Sequence, residues 1–437
     1  GAEMPMTSDQ VVWSEQNRLH IAYPVASVTN TSLGGANVDI EVTIDLSASQ
    51  VDGKPTKGAV RVGQTILMAD NATKLVVEKG LVQKVSGTND NVLDVKLYGT
   101  ATTAYGNNES INLYVYGADF GKGSVGMEGS IEPTFTQYSN NPMILKDNFQ
   151  INGSDTAQIG WVEVSTEDGQ SGYLWYLKAE SETRLRFEDY LEMAMVEAEM
   201  MNQGSYTATT EYDFGGLTAA NPGTGTNIKG SEGLFAAIED RGNVYSGFAG
   251  AAAPGSGALG DFDEILKQLD KQGAIEENML FLSRATALDF DDMIAAMNGA
   301  YASTAAASYG LFENDGDMAL NFGFSGFRRG SYDFYKTDWK YLNDASLRGQ
   351  SKEIDGVMIP AGTTTVYDQM LGSNIRRPFL HVRYRASQTE DRRMKSWITG
   401  SVGGAYTDTL DAMTVSFLSE RCLVTQAANN FVLFKGA

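Results

Sequence analysis

The chain has 437 residues, 42% hydrophobic and 20% charged, enough for one large multi-lobed domain or two to three ordinary ones. A formal charge of −22 argues against a protein whose main task is gripping phosphate backbones, because that binding runs on Lys and Arg displacing counterions. The single cysteine, Cys422, excludes an intramolecular disulfide framework and a cysteine-built zinc cluster and fits a reducing compartment.

The chain starts at Gly1-Ala2, a small pair that a protease with a shallow primed-side pocket would accept, so Gly1 is a candidate maturation cleavage point; a scar of expression would look the same. Residues 1–30 carry few periodic signals, Ser8 to Arg18 suits a short helix or an extended arm, and an arm is expected over 1–37. From Val38 to Gly117 the pattern is β: Val38, Ile40, Val42 and Ile44 alternate with polar residues, as do Leu93, Val95 and Leu97, and Ile111, Leu113 and Val115. Turn clusters at 87–91 and 106–108 separate them, which predicts a small antiparallel sandwich or barrel. Pro142 to Leu177 then reads as a long hairpin with strands at Phe149-Gln150-Ile151, Trp161 to Val164 and Tyr173 to Leu177, turning at Glu167-Asp168-Gly169.

The period changes at Ala179. Phe187, Tyr190, Leu191, Ala194, Ala198 and Met201 recur at helical spacing, and Gly204 supplies a stop, so one continuous helix of about 22 residues, roughly 33 Å, is predicted through Met201. A short apolar helix is expected over 233–239. A helix then runs from Asp261 to near Gly273, a buried strand spans Met279 to Leu282, and Asp289 is predicted to cap a helix through Met297. The remainder reads mainly as strand, at Thr364 to Tyr367, Phe379 to Tyr384, Ala412 to Leu418, Arg421 to Val424 and Phe431 to Phe434.

Catalytic and cofactor patterns find little support. Residues 255–260, Gly-Ser-Gly-Ala-Leu-Gly, match the dinucleotide pattern, but no apolar strand feeds them, so a surface loop is expected. Asp261, Asp263 and Glu264, and Asp289, Asp291 and Asp292, fall in the first turns of predicted helices, where carboxylates meet unpaired backbone N–H groups. Asn314-Asp315-Gly316-Asp317 resembles half a calcium loop without the later glutamate and reads as a tight turn. His20 and His381 are the only histidines and lie far apart, which disfavours a histidine triad or a multi-histidine zinc site. Cys422 in an apolar strand reads as an inert buried thiol. No catalytic residue, metal or cofactor is therefore expected.

Charge is uneven along the chain. From Arg328 onward 15 Lys and Arg stand against 11 Asp and Glu, leaving 18 basic and 44 acidic residues before it. Solubility alone, or charge complementarity between neighbouring copies, accounts for this. The basic cluster of Arg328, Arg329, Arg376, Arg377, Arg383, Arg385, Arg392, Arg393 and Lys395 is expected to pair with the acidic majority of an adjacent copy, with a nucleic-acid groove as the alternative.

Four motifs carry a resemblance. Trp175 to Ala179 leading into Phe187 to Gly204, Met279 to Ser283 followed by a helix, Ile359-Pro360-Ala361-Gly362-Thr363, and Ser419 to Val424 followed by Ala427-Ala428 and Phe431 to Leu433 together resemble the Hong Kong 97 fold of tailed-phage major capsid proteins, over about Pro142 to Ala437. The β block from Val38 to about Val125 departs from a minimal member and resembles the inserted domain of larger ones, crAss-like phages among them.

The resemblance implies an α+β fold with seven parts: N-terminal arm (1–37), β-rich domain within or beside the extension loop (38–141), extension-loop hairpin (142–178), spine helix of the peripheral domain (179–204), axial domain (205–369), peripheral return (370–425) and C-terminal axial strand (426–437). It further implies a structural, non-enzymatic subunit of hexamers and pentamers in an icosahedral virion capsid, assembled in the host bacterial cytoplasm around double-stranded DNA bound without sequence specificity. Its partners would be copies of itself, a portal and minor or decoration proteins, and no membrane. Trp161, Tyr173, Trp175 and Tyr176 would anchor neighbours, unless Trp175 and Tyr176 pack on their own helix, and Arg376, Arg377, Arg383, Arg385, Arg392 and Arg393 would pair across subunits. The alternatives are a phage tail or decoration protein, an encapsulin-like compartment, and a carbohydrate-active protein on a β scaffold.

Overall fold

The structure, a computed structural model, describes residues 3–16, 20–31, 38–46, 57–99, 103–131, 135–157, 163–165, 171–201, 229–246, 258–272, 275–291, 326–368, 373–402 and 406–436; at 163–165, 171–177, 258–261, 364–368 and 373–375 it describes the backbone alone. The chain divides into two units, Val12–Tyr138, and Gly1–Val11 with Ser139–Ala437.

β1 (Glu3–Met6) belongs to the larger unit. In the smaller, β2 (Val11–Gln16) pairs with β9 (Phe135–Asn140), and the segment between them builds β3 (Ala22–Asn30), β4 (Ile40–Ile44), β5 (Gln64–Asp70), β6 (Val77–Ser86), β7 (Val92–Leu97) and β8 (Glu109–Ala118). These six close into a barrel in the order β3-β4-β7-β6-β5-β8, with every neighbour antiparallel. Alternation explains the interior: Ile40, Val42, Leu93, Val95, Ile111 and Leu113 point inward and are buried, and closure leaves no edge to pair with other chains. Where β6 crosses β7, a Cβ on Gly80 would lie 2.3 Å from Val95 Cγ1, so only glycine permits the approach. The expected arm is therefore largely strand. Its residues 22–30 form a barrel wall, because Tyr23, Ala26 and Val28 supply inward side chains that the short alternation hid.

The larger unit continues with β10 (Met143–Asn152), α1 (Gly153–Ala157), β11 (Glu163–Ser165), β12 (Ser171–Tyr173), α2 (Leu174–Glu197), α3 (Leu234–Arg241), β13 (Asn243–Ser246), α4 (Ala258–Gln272) and β14 (Glu277–Leu282). Then come α5 (284–291), β15 (Gly326–Arg329), β16 (Tyr332–Asp338), α6 (Lys340–Asn343), β17 (Ile354–Pro360), β18 (Thr363–Asp368), β19 (Ser373–Pro378), β20 (Leu380–Arg385), β21 (Lys395–Gly400), β22 (Ala412–Thr425) and β23 (Val432–Lys435).

Two sheets organise this unit. In the first, β22 pairs with β10 along one edge and with β20 and β21 along the other, and β1 adds in parallel to β20. In the second, the order is β13-β23-β17-β14-β16-β15, with β13/β23 and β14/β16 parallel. After β22, Ala427 turns the chain in the left-handed region (φ 52°), and β23 enters the second sheet, so one short C-terminal segment serves both. The motif at Ile359–Thr363 forms the β17–β18 turn, where Ala361 N–H donates to Glu277 O at 2.9 Å.

Four features differ from expectation. The predicted long hairpin over 142–178 differs: β10 pairs with β22 over ten residues, and among the described residues of this stretch the hairpin is the short one of β11 and β12. The helix starts at Leu174 instead of Ala179, because Leu-Trp-Tyr-Leu-Lys-Ala-Glu holds no β-branched residue to resist it. It also stops at Glu197, short of the predicted Met201. Gly233 N–H donates to Ala198 O at 2.7 Å and Met201 N–H to Lys229 O at 2.9 Å, so the returning segment 229–233, joined through an isolated bridge between Met200 and Gly230, takes over the backbone groups that another turn would need. Likewise α5 begins after Ser283, whose carbonyl accepts from Ala287 N–H at 2.8 Å, and this leaves Asp289 inside the helix and not at its cap.

Candidate functional site

Of the residues singled out for assembly, Arg383 and Arg385 lie on the first sheet and Trp175 and Tyr176 on its covering helix, while Arg392 and Arg393 lie between β20 and β21. α2 lies on this sheet through Phe187 and Leu191, which pack with Val415 and Phe417; the Phe187 and Phe417 rings stack at 5.8 Å between centroids. One turn on, Met195 joins Leu234, Phe235, Ile238, Leu423, Phe431 and Leu433 in a core shared with α3 and both sheets. At 24 residues, α2 is about 36 Å long. Its exposed side carries i,i+4 pairs, Lys178–Glu182 at 3.5 Å and Arg184–Glu188 at 3.1 Å, together with exposed Leu185 and Tyr190.

The basic cluster is mostly neutralised within its own chain, which corrects the expectation that it waits for another copy. Glu420, buried in β22, accepts a hydrogen bond from Arg385 Nε at 2.7 Å on one oxygen, and its other oxygen lies 2.7 Å from Arg392 Nε as an ion pair. Arg385 also reaches Asp9, while Arg393 and Arg421 reach Glu3. These pairs tie the N-terminal segment to the sheet that β1 joins. The physical reason is register: β1 beside β20 brings Glu3 and Asp9 to guanidiniums more than 370 positions later, a proximity no local pattern encodes. Arg329 likewise binds Asp263 with two bonds, Arg328 lies 3.5 Å from Asp333, and Lys395 lies 2.7 Å from Glu390. Glu420 was missed because it reads as an ordinary strand residue; a lone acid flanked by the apolar runs of 412–425 is the available signal.

Along β20, His381, Arg383 and Arg385 alternate onto one face, with Cys422 opposite Arg383. His381 Nδ1 donates to Pro378 O at 3.2 Å and its Nε2 accepts Arg383 Nε–H at 3.3 Å, which defines a neutral tautomer. Burial first, and Arg383 second, hold the imidazole down to about 4. Burial pushes the Cys422 thiol up to about 12, in keeping with a closed, unreactive position.

The acidic groups read as capping residues take other partners: Asp263 pairs with Arg329 and Asp291 with the buried Lys336. Among the described residues, no group of three or more His, Cys, Asp or Glu converges on a metal position, and no helix is long and apolar enough to cross a membrane. Gly1, Trp161, Asp292, the 167–169 turn, residues 255–257 and the 314–317 acids lie outside the described residues, and of Tyr173, Trp175, Tyr176 and Asp261 only the backbone is described. Arg376 and Arg377 lie on β19, with Arg376 exposed.

No family model matches the chain, and no curated protein does. Among solved structures the similar chains come from phage particles or phages. One, from Mycobacterium phage Ogopogo, is 14% identical over 74% of this chain and 83% of that one, with a TM-score of 0.33. Another, from Microbacterium phage Oxtober96, is 10% identical over 100% and 88%, with a TM-score of 0.35. The capsid structure of Cyanophage P-SCSP1u is 11% identical over 74% and 80%, with a TM-score of 0.30. At these scores the likeness carries no argument, and the functional reading rests on the chain's own geometry.

Proposed function

We propose that this chain is a structural shell subunit of the Hong Kong 97 type, which assembles with copies of itself as hexamers and pentamers into an icosahedral phage capsid around double-stranded DNA. The supporting observation is the way the larger unit is built. A short hairpin leads straight into a 24-residue helix laid across one sheet, and the central strand of that sheet runs on into a second, mixed sheet. This arrangement supports reading the hairpin as the extension loop and the helix as the spine.

Such a body suits tiling. A stiff helix laid across a sheet keeps that surface rigid while edges meet neighbours, and heterologous contacts around a closed ring require that the same two surfaces recur in every copy. Each contact would need about 1,000 Å² or more. Exposed apolar side chains on the larger unit, Ile144, Leu185, Tyr190, Trp397 and Ile398, offer area to bury. Trp161, Tyr173, Trp175 and Tyr176 remain proposed anchors beside the hairpin. The net charge of −22 suits a container whose packaged DNA must not adhere to its wall. Portal and minor or decoration proteins would complete the particle in the host cytoplasm. A long helix crossing a sheet counts against the tail and decoration alternative, which predicts none.

The full chain, expressed alone and viewed by negative-stain microscopy after sedimentation, is expected to give closed shells. Open tubes would favour a tail component, shells loaded with protein in place of DNA an encapsulin-like compartment, and a chain that stays monomeric at high concentration would refute the reading.

A further inference from the structure

Near the end of β19 and along β20 stands a cationic pair that the intrachain network leaves out. Arg385 and Arg421 on the first sheet, and Arg392 and Arg393 in the loop between β20 and β21, each have a carboxylate of their own chain within 4 Å. Among the described residues, no carboxylate lies within ion-pair distance of Arg377 or Arg383. Arg377 Nε is buried without a hydrogen-bond partner, and Arg383 spends only Nε, on the neutral His381. Burial first, and the neighbouring Arg377 guanidinium second, hold Arg383 below its ordinary value, and both guanidiniums act on His381. A neutral imidazole locked to Pro378 O can orient Arg383 but cannot neutralise it.

We propose that Arg377 and Arg383 form a receptor for a carboxylate presented by a second copy of this chain. The inference rests on the self-association proposed above. Arg383 keeps its two terminal nitrogens for a forked contact, and a carboxylate shared with Arg377 would relieve the repulsion between them. Donors abound: 44 Asp and Glu precede Arg328, and on α2 Asp189 and Glu192 are exposed. A nucleic-acid backbone fits less well. Glu3, Asp9, Glu390 and Glu420 interrupt the surrounding basic residues, whereas a run of phosphates needs a continuous positive stripe.

The test uses the full chain in three forms, wild type, Arg377→Gln/Arg383→Gln and Arg383→Lys, with self-association followed by sedimentation velocity from about 0.05 to 1 M NaCl. The double variant is expected to need about tenfold more protein to self-associate and to lose most of the wild-type salt sensitivity, while Arg383→Lys, which keeps the charge and loses the fork, keeps the salt sensitivity and falls between the two. Below the association concentration the double variant should melt at the wild-type temperature or above, because like-charge repulsion is removed; a merely structural pair would lower it. Unchanged association overturns the proposal, and so does weakened association accompanied by a lower melting temperature. Unchanged association with reduced nucleic-acid content also overturns it and assigns the pair to phosphate. A monomeric wild type sinks both this proposal and the shell reading, whereas wild-type oligomers that never close sink the shell reading alone.

Discussion

His381 and Glu420 show what burial does to single titratable side chains in the first sheet. The imidazole is 2% exposed and held at about 4, against an ordinary 6.5. Between those values the unfolded chain binds more protons than the folded one, so stability rises with pH across the window and is lost as pH falls from about 6.5 through about 4. The loss should be on the order of 2–3 kcal/mol, visible in urea unfolding of the wild type at pH 7 and pH 5, and His381→Gln should flatten that difference. Glu420 presents the opposite case, a buried charge that two arginines satisfy. Glu420→Gln leaves Arg385 and Arg392 facing a neutral amide and should cost about 3 kcal/mol in denaturant unfolding at neutral pH. A cost below about 1 kcal/mol would mean that water already shields the pair.

At the scale of elements, α2 is held by what its apolar side meets. Phe187 is fully buried against Phe417, whereas Leu185, two positions earlier, is 57% exposed. Phe187→Ala should therefore destabilise the chain by about 3–5 kcal/mol, and Leu185→Ala by no more than about 0.5 kcal/mol, as measured by equilibrium unfolding. Equal effects would mean that the helix does not rest on the sheet. Helical periodicity was readable from Phe187 onward because the residues meeting the sheet recur every three to four positions. The first turn was not, because Trp175, Tyr176 and Leu177 suit a strand as well as a helix when taken alone. The helix end was also hidden, since Lys229 and Gly233 decide it from thirty residues away.

For the whole molecule, the two units have separate cores, the barrel around Val28, Ile40, Val42, Ile66 and Leu93, and the sheets around Phe262, Phe290, Phe334 and Phe434. Calorimetry of the full chain should show two unfolding transitions, and residues 12–138 expressed alone should retain one of them. A single transition in the full chain, with the excised segment unfolded, would mean that the barrel depends on the rest. The uneven charge belongs to this scale too. Part of it is consumed within the chain, where Glu3 and Asp9 meet arginines of the C-terminal quarter, and the remainder is available to other copies.

Local periodicity determined the existence of the barrel strands, the helical run after Ala179 and the strand-rich C-terminal quarter, because side-chain alternation and helical spacing are properties of neighbouring residues. The resemblance on which the shell reading began was carried by four short motifs and not by periodicity. Only the tertiary structure decided that residues 22–30 close the barrel, that β10 lies along β22, and that Glu420 neutralises two arginines. Those outcomes depend on strand partners and charges far apart in the chain, and a pattern read over a few residues holds no record of which distant segment will lie beside it.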